Sequence, residues 1–231
     1  MDNRGSIDLL NIVIADAEVE TIPEKMIDDY AVRKYAKERR KPVSEVLLDS
    51  NFMHAAIERH FPGMSNRMGR PDIIYHCLQV CQESILNKKG ELRVYVHTKH
   101  DYVIKIDRLT RLPKSYNRFV GLLEDLFRKE RVGPPDRLLM EMTRSDAVSL
   151  LESLDTPKIL LSPRGVQSSI RNLYPPDKRD VTVIIGGFSE GDFISPLYER
   201  YSSVSIFQEE LTIWSVAMEV ICEYERDFNL V

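Results

Sequence analysis

Val181-Thr182-Val183-Ile184-Ile185-Gly186-Gly187-Phe188-Ser189-Glu190-Gly191-Asp192-Phe193 opens with five β-branched residues, four of them apolar. It reads as a strand buried on both faces. The strand stops at a glycine pair, with a third glycine four residues beyond the second. A residue without a Cβ lets backbone approach a ligand or take positive φ, and ligands of open α/β sheets sit at the carboxyl ends of such strands. An ordinary glycine-rich turn is the competing reading. No Gly-Lys-Ser/Thr follows, so this is not a Walker loop, and neither its spacing nor its position fits the Rossmann fingerprint. The working idea is a nucleotide-like ligand held by glycine backbone.

Outward from this stretch, strands and helices alternate. Leu138–Met142 reads as a strand, Ser145–Leu154 as a helix with a Ser cap, and Lys158–Ser162 as a strand ending at Pro163-Arg164-Gly165. Ser203–Phe207 follows as a strand, and a final helix spans Glu209–Glu225 with Leu211, Trp214, Met218 and Ile221 on one face. Such alternation predicts a largely parallel sheet covered on both sides. Three strand ends are expected to converge: Leu161-Ser162, Gly186 to Gly191, and Ile206 to Leu211.

Toward the amino terminus, Ile7–Ala15 reads as a first buried strand. Pro23 opens a polar helical region ending in Arg33–Lys41, where six basic residues stand against one acid. This is a solvated helix face or a phosphate contact. A helix over Asn51–His60 follows a cap at Asp49-Ser50, and Pro71 begins another whose apolar face is Ile73, Ile74, Cys77, Leu78 and Cys81. Arg67, Arg70 and Asp72 then lie at the mouth of that helix. Leu92–His97 and Tyr102–Ile106 read as two strands joined by a polar turn. The segment after them carries Lys105, Arg108, Arg111, Lys114 and Arg118 against only Asp107, with Tyr116 and Phe119 interleaved. One-sided charge with aromatics suits an RNA strand, phosphates neutralised and bases stacked. The alternative is a hydrated loop before a helix over Ser115–Lys129.

A net charge of −4 confines any nucleic-acid contact to such a local patch. Three cysteines without paired spacing indicate a reducing compartment. Cys77 and Cys81 beside His76 lack two further ligands, so no metal is expected. Ile7–Ala15 is too short and polar for a signal or a membrane span, which points to the cytoplasm. The five histidines show no triad spacing with a serine or cysteine.

Three motifs occur in one order: Gly69-Arg70-Pro71-Asp72-Ile73, Arg111-Leu112-Pro113-Lys114-Ser115-Tyr116-Asn117-Arg118-Phe119-Val120-Gly121, and Ile184-Ile185-Gly186-Gly187-Phe188. Together they resemble the ribosomal-RNA pseudouridine methyltransferases of the SPOUT superfamily, in their shorter archaeal form, over nearly the whole chain. The resemblance implies an α/β fold with a carboxyl-terminal trefoil knot, one domain over residues 1–231 with a family-specific insertion at about 50–115, and a homodimer. It implies S-adenosylmethionine as cofactor, held at Leu161, Gly186, Gly191 and the run Ile206, Phe207, Gln208, Glu209, Glu210, Leu211. It also implies methylation of ring nitrogen 1 of a pseudouridine in small-subunit ribosomal RNA. Arg70, Asp72, Arg111, Lys114 and Arg118 would contact the RNA, with Arg70 and Asp72 at the target base. An RNA-binding ribosome-assembly factor with dispensable catalysis is the alternative. The chain departs from the family pattern at Met68, where a basic residue is common and Arg67 comes one earlier. It departs also at Lys114, where arginine is common, and at the acid pair Glu209-Glu210.

Overall fold

The computed structural model describes residues 9–176 and 179–230. Its strands are β1 (Leu10–Ala17), β2 (Leu92–Thr98), β3 (Tyr102–Ile106), β4 (Arg131–Val132), β5 (Met140–Arg144), β6 (Lys158–Gln167), β7 (Val181–Gly186) and β8 (Ser203–Ser205). They form one sheet in the order β4-β5-β3-β2-β1-β7-β6-β8. β1 is hydrogen-bonded between β2 and β7, both parallel to it. Leu10, Ile12 and Ile14 face one layer and Val13 and Ala15 the other, the period of two that a strand imposes. β7 repeats this, sending Val181, Val183 and Ile185 to the first layer and Ile184 to the second. Burial on both faces is why both strands read as unbroken apolar runs.

The helices are α1 (Tyr30–Glu38), α2 (Ser50–His60), α3 (Pro71–Glu83), α4 (Ile85–Lys89), α5 (Tyr116–Lys129), α6 (Ala147–Ser153) and α7 (Ile213–Asp227). α3, α5 and α7 supply the first layer and α6 packs on the opposite face with Leu197. α1 and α2 enclose a satellite core with Ile22, Met26, Val46, Leu48 and Met68. The expected α/β sheet with helices on both faces is therefore present. Its parallel part is β2, β1, β7, β6 and β8; β3, β5 and β4 extend it antiparallel. A short turn folds β3 back on β2 as a hairpin, and the strand expected at Leu138–Met142, here Met140–Arg144, adds to its outer edge.

Several boundaries differ from the sequence reading for local reasons. β1 begins at Leu10; Ile7 and Asp8 of the expected strand lie outside the described residues. The Pro23 region is a 3₁₀ turn at Glu24–Met26 followed by α1, capped by Asp29 through the Ala31 amide at 2.8 Å. α6 takes its cap from Asp146 rather than Ser145, because the Asp146 carboxylate reaches the Ser149 amide at 2.8 Å. β6 does not stop at Pro163. Val204 pairs with both Leu161 and Val166, and residues 162–165 leave the ladder between them, so the proline interrupts no pairing. α7 starts at Ile213 and turns Ile213, Ala217, Val220, Ile221 and Tyr224 inward. The face expected from the sequence is thus rotated: Leu211 precedes the helix, Met218 is exposed, and Trp214 is half-buried against His76 at 5.1 Å between ring centroids.

β1 ends in buried charge. Asp16 has φ 55°, which turns the strand where its pairing with β2 shifts register, and Asp16, Glu18 and Glu20 are all buried. Asp16 accepts the Ile194 and Ser195 amides at 2.8 and 2.9 Å and the Ser195 hydroxyl at 2.6 Å. Glu20 meets Lys99 at 2.6 Å and His100 at 3.0 Å, and takes the Gly69 amide at 3.1 Å. Burial disfavours ionisation at both, but His97 and Ser195 at Asp16, and His100 and Lys99 at Glu20, outweigh it and hold both below the usual carboxylate range. Glu18 is different. Arg67 Nε lies 2.8 Å from its Oε1, yet neither oxygen completes a hydrogen bond. Burial pushes this carboxyl up to about 7 against the opposing charges of Arg67 and Lys99.

Two stability experiments follow from these buried acids. The native state holds the Glu18 proton more tightly than the unfolded chain, whose value is near 4.5. That contribution is complete below pH 4.5 and is lost as pH rises through about 7. Urea titrations at pH 4 and pH 8 will show the wild type losing on the order of 3 kcal/mol relative to Glu18→Gln; parallel pH profiles would refute this. Second, buried Glu124 of α5 joins the satellite core to the main one by accepting from Arg39 at 2.6 Å and Lys41 at 2.8 Å. Glu124→Ala will cost about 3 kcal/mol by chemical denaturation, whereas removing the exposed partner of Lys88, by Glu83→Ala, will change little.

Candidate active site

β7, β6 and β8 lie side by side and parallel, and the segments at their carboxyl ends enclose a cavity of about 280 Å³. Leu161, Gly186, Gly191, Ile206, Phe207, Glu209, Glu210 and Leu211 line it; Gln208, expected with them, does not. Apolar surface comes also from Ile185, Val204, Ile213 and Val216. Gly191 has φ +81°, a conformation side chains seldom adopt. Gly187 is small for another reason: a Cβ there would lie 2.7 Å from the Ala17 Cα. Its close approach is to β1, not to a ligand.

Ser162, Arg164 and Asp192 add polar groups to the lining, tied together by Tyr198, a link missed in the sequence reading. The Tyr198 hydroxyl donates to Asp192 at 2.6 Å and meets the Ser162 hydroxyl at 2.7 Å, while Arg164 pairs with Asp192 at 2.6 Å. Burial raises the Tyr198 phenol, and the Asp192 hydrogen bond adds to it. Phe188, Phe193 and Tyr198 pack edge to face in sequence, at 5.3 and 5.8 Å between centroids. Glu209 and Glu210 are exposed at the rim without an ion pair among the described residues.

A second cluster forms where α2, α3 and α5 begin. Arg70 precedes Pro71, the first residue of α3, and its amide donates to the Glu18 carbonyl at 2.7 Å. The Gly69 carbonyl accepts the Ser50 amide at 2.7 Å. Arg70 then grips Asp72 fork to fork, Nε to Oδ1 at 3.0 Å and Nη2 to Oδ2 at 2.9 Å. Both side chains are about one-fifth exposed, 22% and 21%, so the pair is reachable from solvent without being loose in it. The Asp72 bonds raise the Arg70 pKa further.

Asp49, capping α2 through the Asn51 amide at 3.0 Å, accepts the Tyr116 hydroxyl at 2.6 Å. Burial pushes the Asp49 carboxyl up, and the nearby charge of Asp72 pushes the same way. The sequence marked Asp49 only as a helix start, since its link to Tyr116 spans 67 positions.

The basic segment is pinned at its centre. Tyr75 and Gln79 of α3 donate to the carbonyls of Lys114 at 2.5 Å and Pro113 at 3.1 Å. The side chains of Arg111, Lys114 and Arg118 stay exposed, with no ion pair among the described residues. The expected aromatic stacking does not hold for Phe119, which is fully buried because it falls on the inward face of α5 with Val120, Leu123 and Leu126. Tyr116 is half-buried, its ring 5.6 Å from that of Tyr75. Cys77 and Cys81 are buried in α3, and no group of three or more metal-ligating side chains occurs among the described residues.

The two clusters share a boundary one residue wide. The Glu18 amide donates to the Gly187 carbonyl at 3.2 Å, and the Glu18 carbonyl accepts the Arg70 amide. The chain is similar to known proteins in sequence and in fold. The profile of the EMG1/NEP1 methyltransferase family matches residues 12–225. The chain is 50% identical over 224 residues to the "Ribosomal RNA small subunit methyltransferase Nep1" of Thermoplasma volcanium, covering 96% of this chain and 100% of that one. A protein of the same name from Thermoplasma acidophilum is also 50% identical, over 226 residues, with 96% and 100% covered. The crystal structure of Archaeoglobus fulgidus Nep1 bound to S-adenosylhomocysteine superimposes with a TM-score of 0.84 at 34% identity, covering 95% of this chain and 98% of that one. With a match of this extent in sequence and in three dimensions, the chain belongs to the EMG1/NEP1 methyltransferase family.

Proposed function

We propose that this protein methylates ring nitrogen 1 of a pseudouridine in small-subunit ribosomal RNA, using S-adenosylmethionine, and that it works in ribosome biogenesis as a cytoplasmic homodimer. The observation that carries the reading is a shared contact: Glu18 bonds Gly187, which sits between two residues lining the cavity, through its amide, and Arg70 of the half-open Arg70–Asp72 pair through its carbonyl. The cavity suits the cofactor chemically, with apolar side chains beside a polar wall of Ser162 and Asp192, both held by the Tyr198 hydroxyl. The exposed acids Glu209 and Glu210 at the rim complement a ligand carrying sulfonium and ammonium charge. Bound there, S-adenosylmethionine supplies an electrophilic methyl group.

Arg111, Lys114 and Arg118 would neutralise phosphates and set the register of the RNA. Arg70 has its Nε and Nη2 on Asp72 and keeps Nη1 for the carbonyl edge of a flipped base. Asp72 fixes that guanidinium. Asp72 thus acts by orientation, which lets positioning supply most of the acceleration, while the N1 proton leaves to water. A base acting directly on N1 would need its carboxylate free of Arg70.

Incubation with labelled S-adenosylmethionine and two matched hairpins, one with pseudouridine and one with uridine in the loop, tests the assignment. Label only on the pseudouridine hairpin is expected; binding of both RNAs and the cofactor without label would favour an assembly factor. Asp72→Asn will retain measurable turnover, with kcat reduced about tenfold through a loosened Arg70, whereas a loss of about 10³-fold or more would make Asp72 the base. In salt titrations, Arg111→Ala and Arg118→Ala will each lower the slope of log K against log salt by about 0.7. An unchanged slope would remove that residue from the RNA contact.

A further inference from the structure

Arg67 stands three residues before Arg70 and takes no part in the roles assigned above, yet it touches the cavity loop at four of its residues. Its guanidinium donates to the Glu190 carbonyl and, at 3.4 Å, to the Asp192 carbonyl. It lies 4.9 Å from the centroid of the Phe188 ring. It also fills the space beside Gly191, where a Cβ would meet Arg67 Nη1 at 2.1 Å. Asn66 adds a bond from Nδ2 to Glu190 Oε1 at 2.8 Å, and the Ser189 hydroxyl donates to the Asn66 carbonyl. Residues 188–192 form no helix or strand, so these contacts supply much of what orders them.

The other side of Arg67 faces the fold. Nε lies 2.8 Å from Glu18, whose carboxylate is 1% exposed and whose main chain bonds Gly187 on one side and Arg70 on the other. Lys99 holds the Arg67 carbonyl at 3.1 Å. One buried acid therefore seats the arginine that clamps the cavity loop, and the same residue anchors the start of α3.

We propose that Arg67, seated on Glu18, is a positioning residue that couples the two half-sites, so that occupancy of the cavity strengthens RNA binding at Arg70 and Asp72 and RNA binding strengthens occupancy of the cavity. The inference rests on the methyltransferase reading. Its physical basis is shared ordering. A ligand that fixes residues 188–192 also fixes Arg67, and with it the backbone running into Arg70, so the second ligand meets a site already ordered. Linkage requires the effect to be equal in both directions.

The test is calorimetric titration of the full-length protein with S-adenosylhomocysteine, with and without a pseudouridine hairpin. The wild type is expected to bind S-adenosylhomocysteine at least fivefold more tightly when RNA is present. Arg67→Ala should weaken binding of S-adenosylhomocysteine about tenfold and reduce the coupling factor to about one, with RNA affinity in its absence nearly unchanged. In steady state it should raise KM for S-adenosylmethionine more than it lowers kcat. Arg67→Lys, which keeps the charge but cannot span both carbonyls and Glu18, should recover part of the affinity and little of the coupling. Coupling of wild-type size in Arg67→Ala, or equal loss of both ligands alongside a lowered melting temperature in both variants, would overturn the proposal. If Arg67→Ala does not fold, Arg67→Lys and Asn66→Ala decide on the same coupling factor. A wild type that binds neither S-adenosylhomocysteine nor RNA would instead sink the methyltransferase reading itself.

Discussion

Three carboxylates buried in succession at the end of β1 are the constraint around which the rest is arranged. A charge taken out of water must find donors or stay protonated, and each acid draws its partners from a different segment. Asp16 gathers the backbone at Ile194 and Ser195 after the cavity loop. Glu20 gathers Lys99 and His100 from the β2–β3 turn and the Gly69 amide. Glu18, between them, meets Arg67 at 2.8 Å, with the charge of Lys99 also acting on it. The strand that forms the centre of the sheet therefore also fixes, through three side chains, the loops on which both half-sites are built.

That placement separates the two electrostatic tasks of a chain whose overall charge is negative. The cations proposed to meet RNA are left exposed and unpaired, among the described residues, on the segment pinned by Tyr75 and Gln79. Those that hold structure, Arg39, Lys41, Arg67 and Lys99, are drawn onto buried acids. Exposed Arg and Lys side chains give salt-dependent attraction that is cheap to rearrange, whereas an ion pair at a buried acid is costly to break.

The sheet centre and the α3 register were legible because burial on both faces, or on one helical stripe, leaves a periodic trace in the residues themselves. The convergence of Leu161, Gly186 and Ile206 was legible for the same reason. Other features had no local trace. Pro163 reads as a strand end, yet residues 162–165 simply leave the ladder before pairing resumes at Val166. Phe119 reads as an aromatic among cations, and only its phase on α5 sends it inward. Asp49 with Tyr116, and Glu18 with Arg67, are contacts 67 and 49 positions apart along the chain, invisible to any pattern of neighbours.

The order of Arg67 and Met68 before Gly69 has a physical reading. Met68, directly before the glycine, is buried in the satellite core with Leu48 and Met53. A charge at that point would be buried without a partner. One residue earlier, Arg67 turns toward β1 and the cavity loop instead, where its Nε lies 2.8 Å from Glu18. A methionine and an arginine in this order therefore keep the small core apolar and give the cavity loop its clamp.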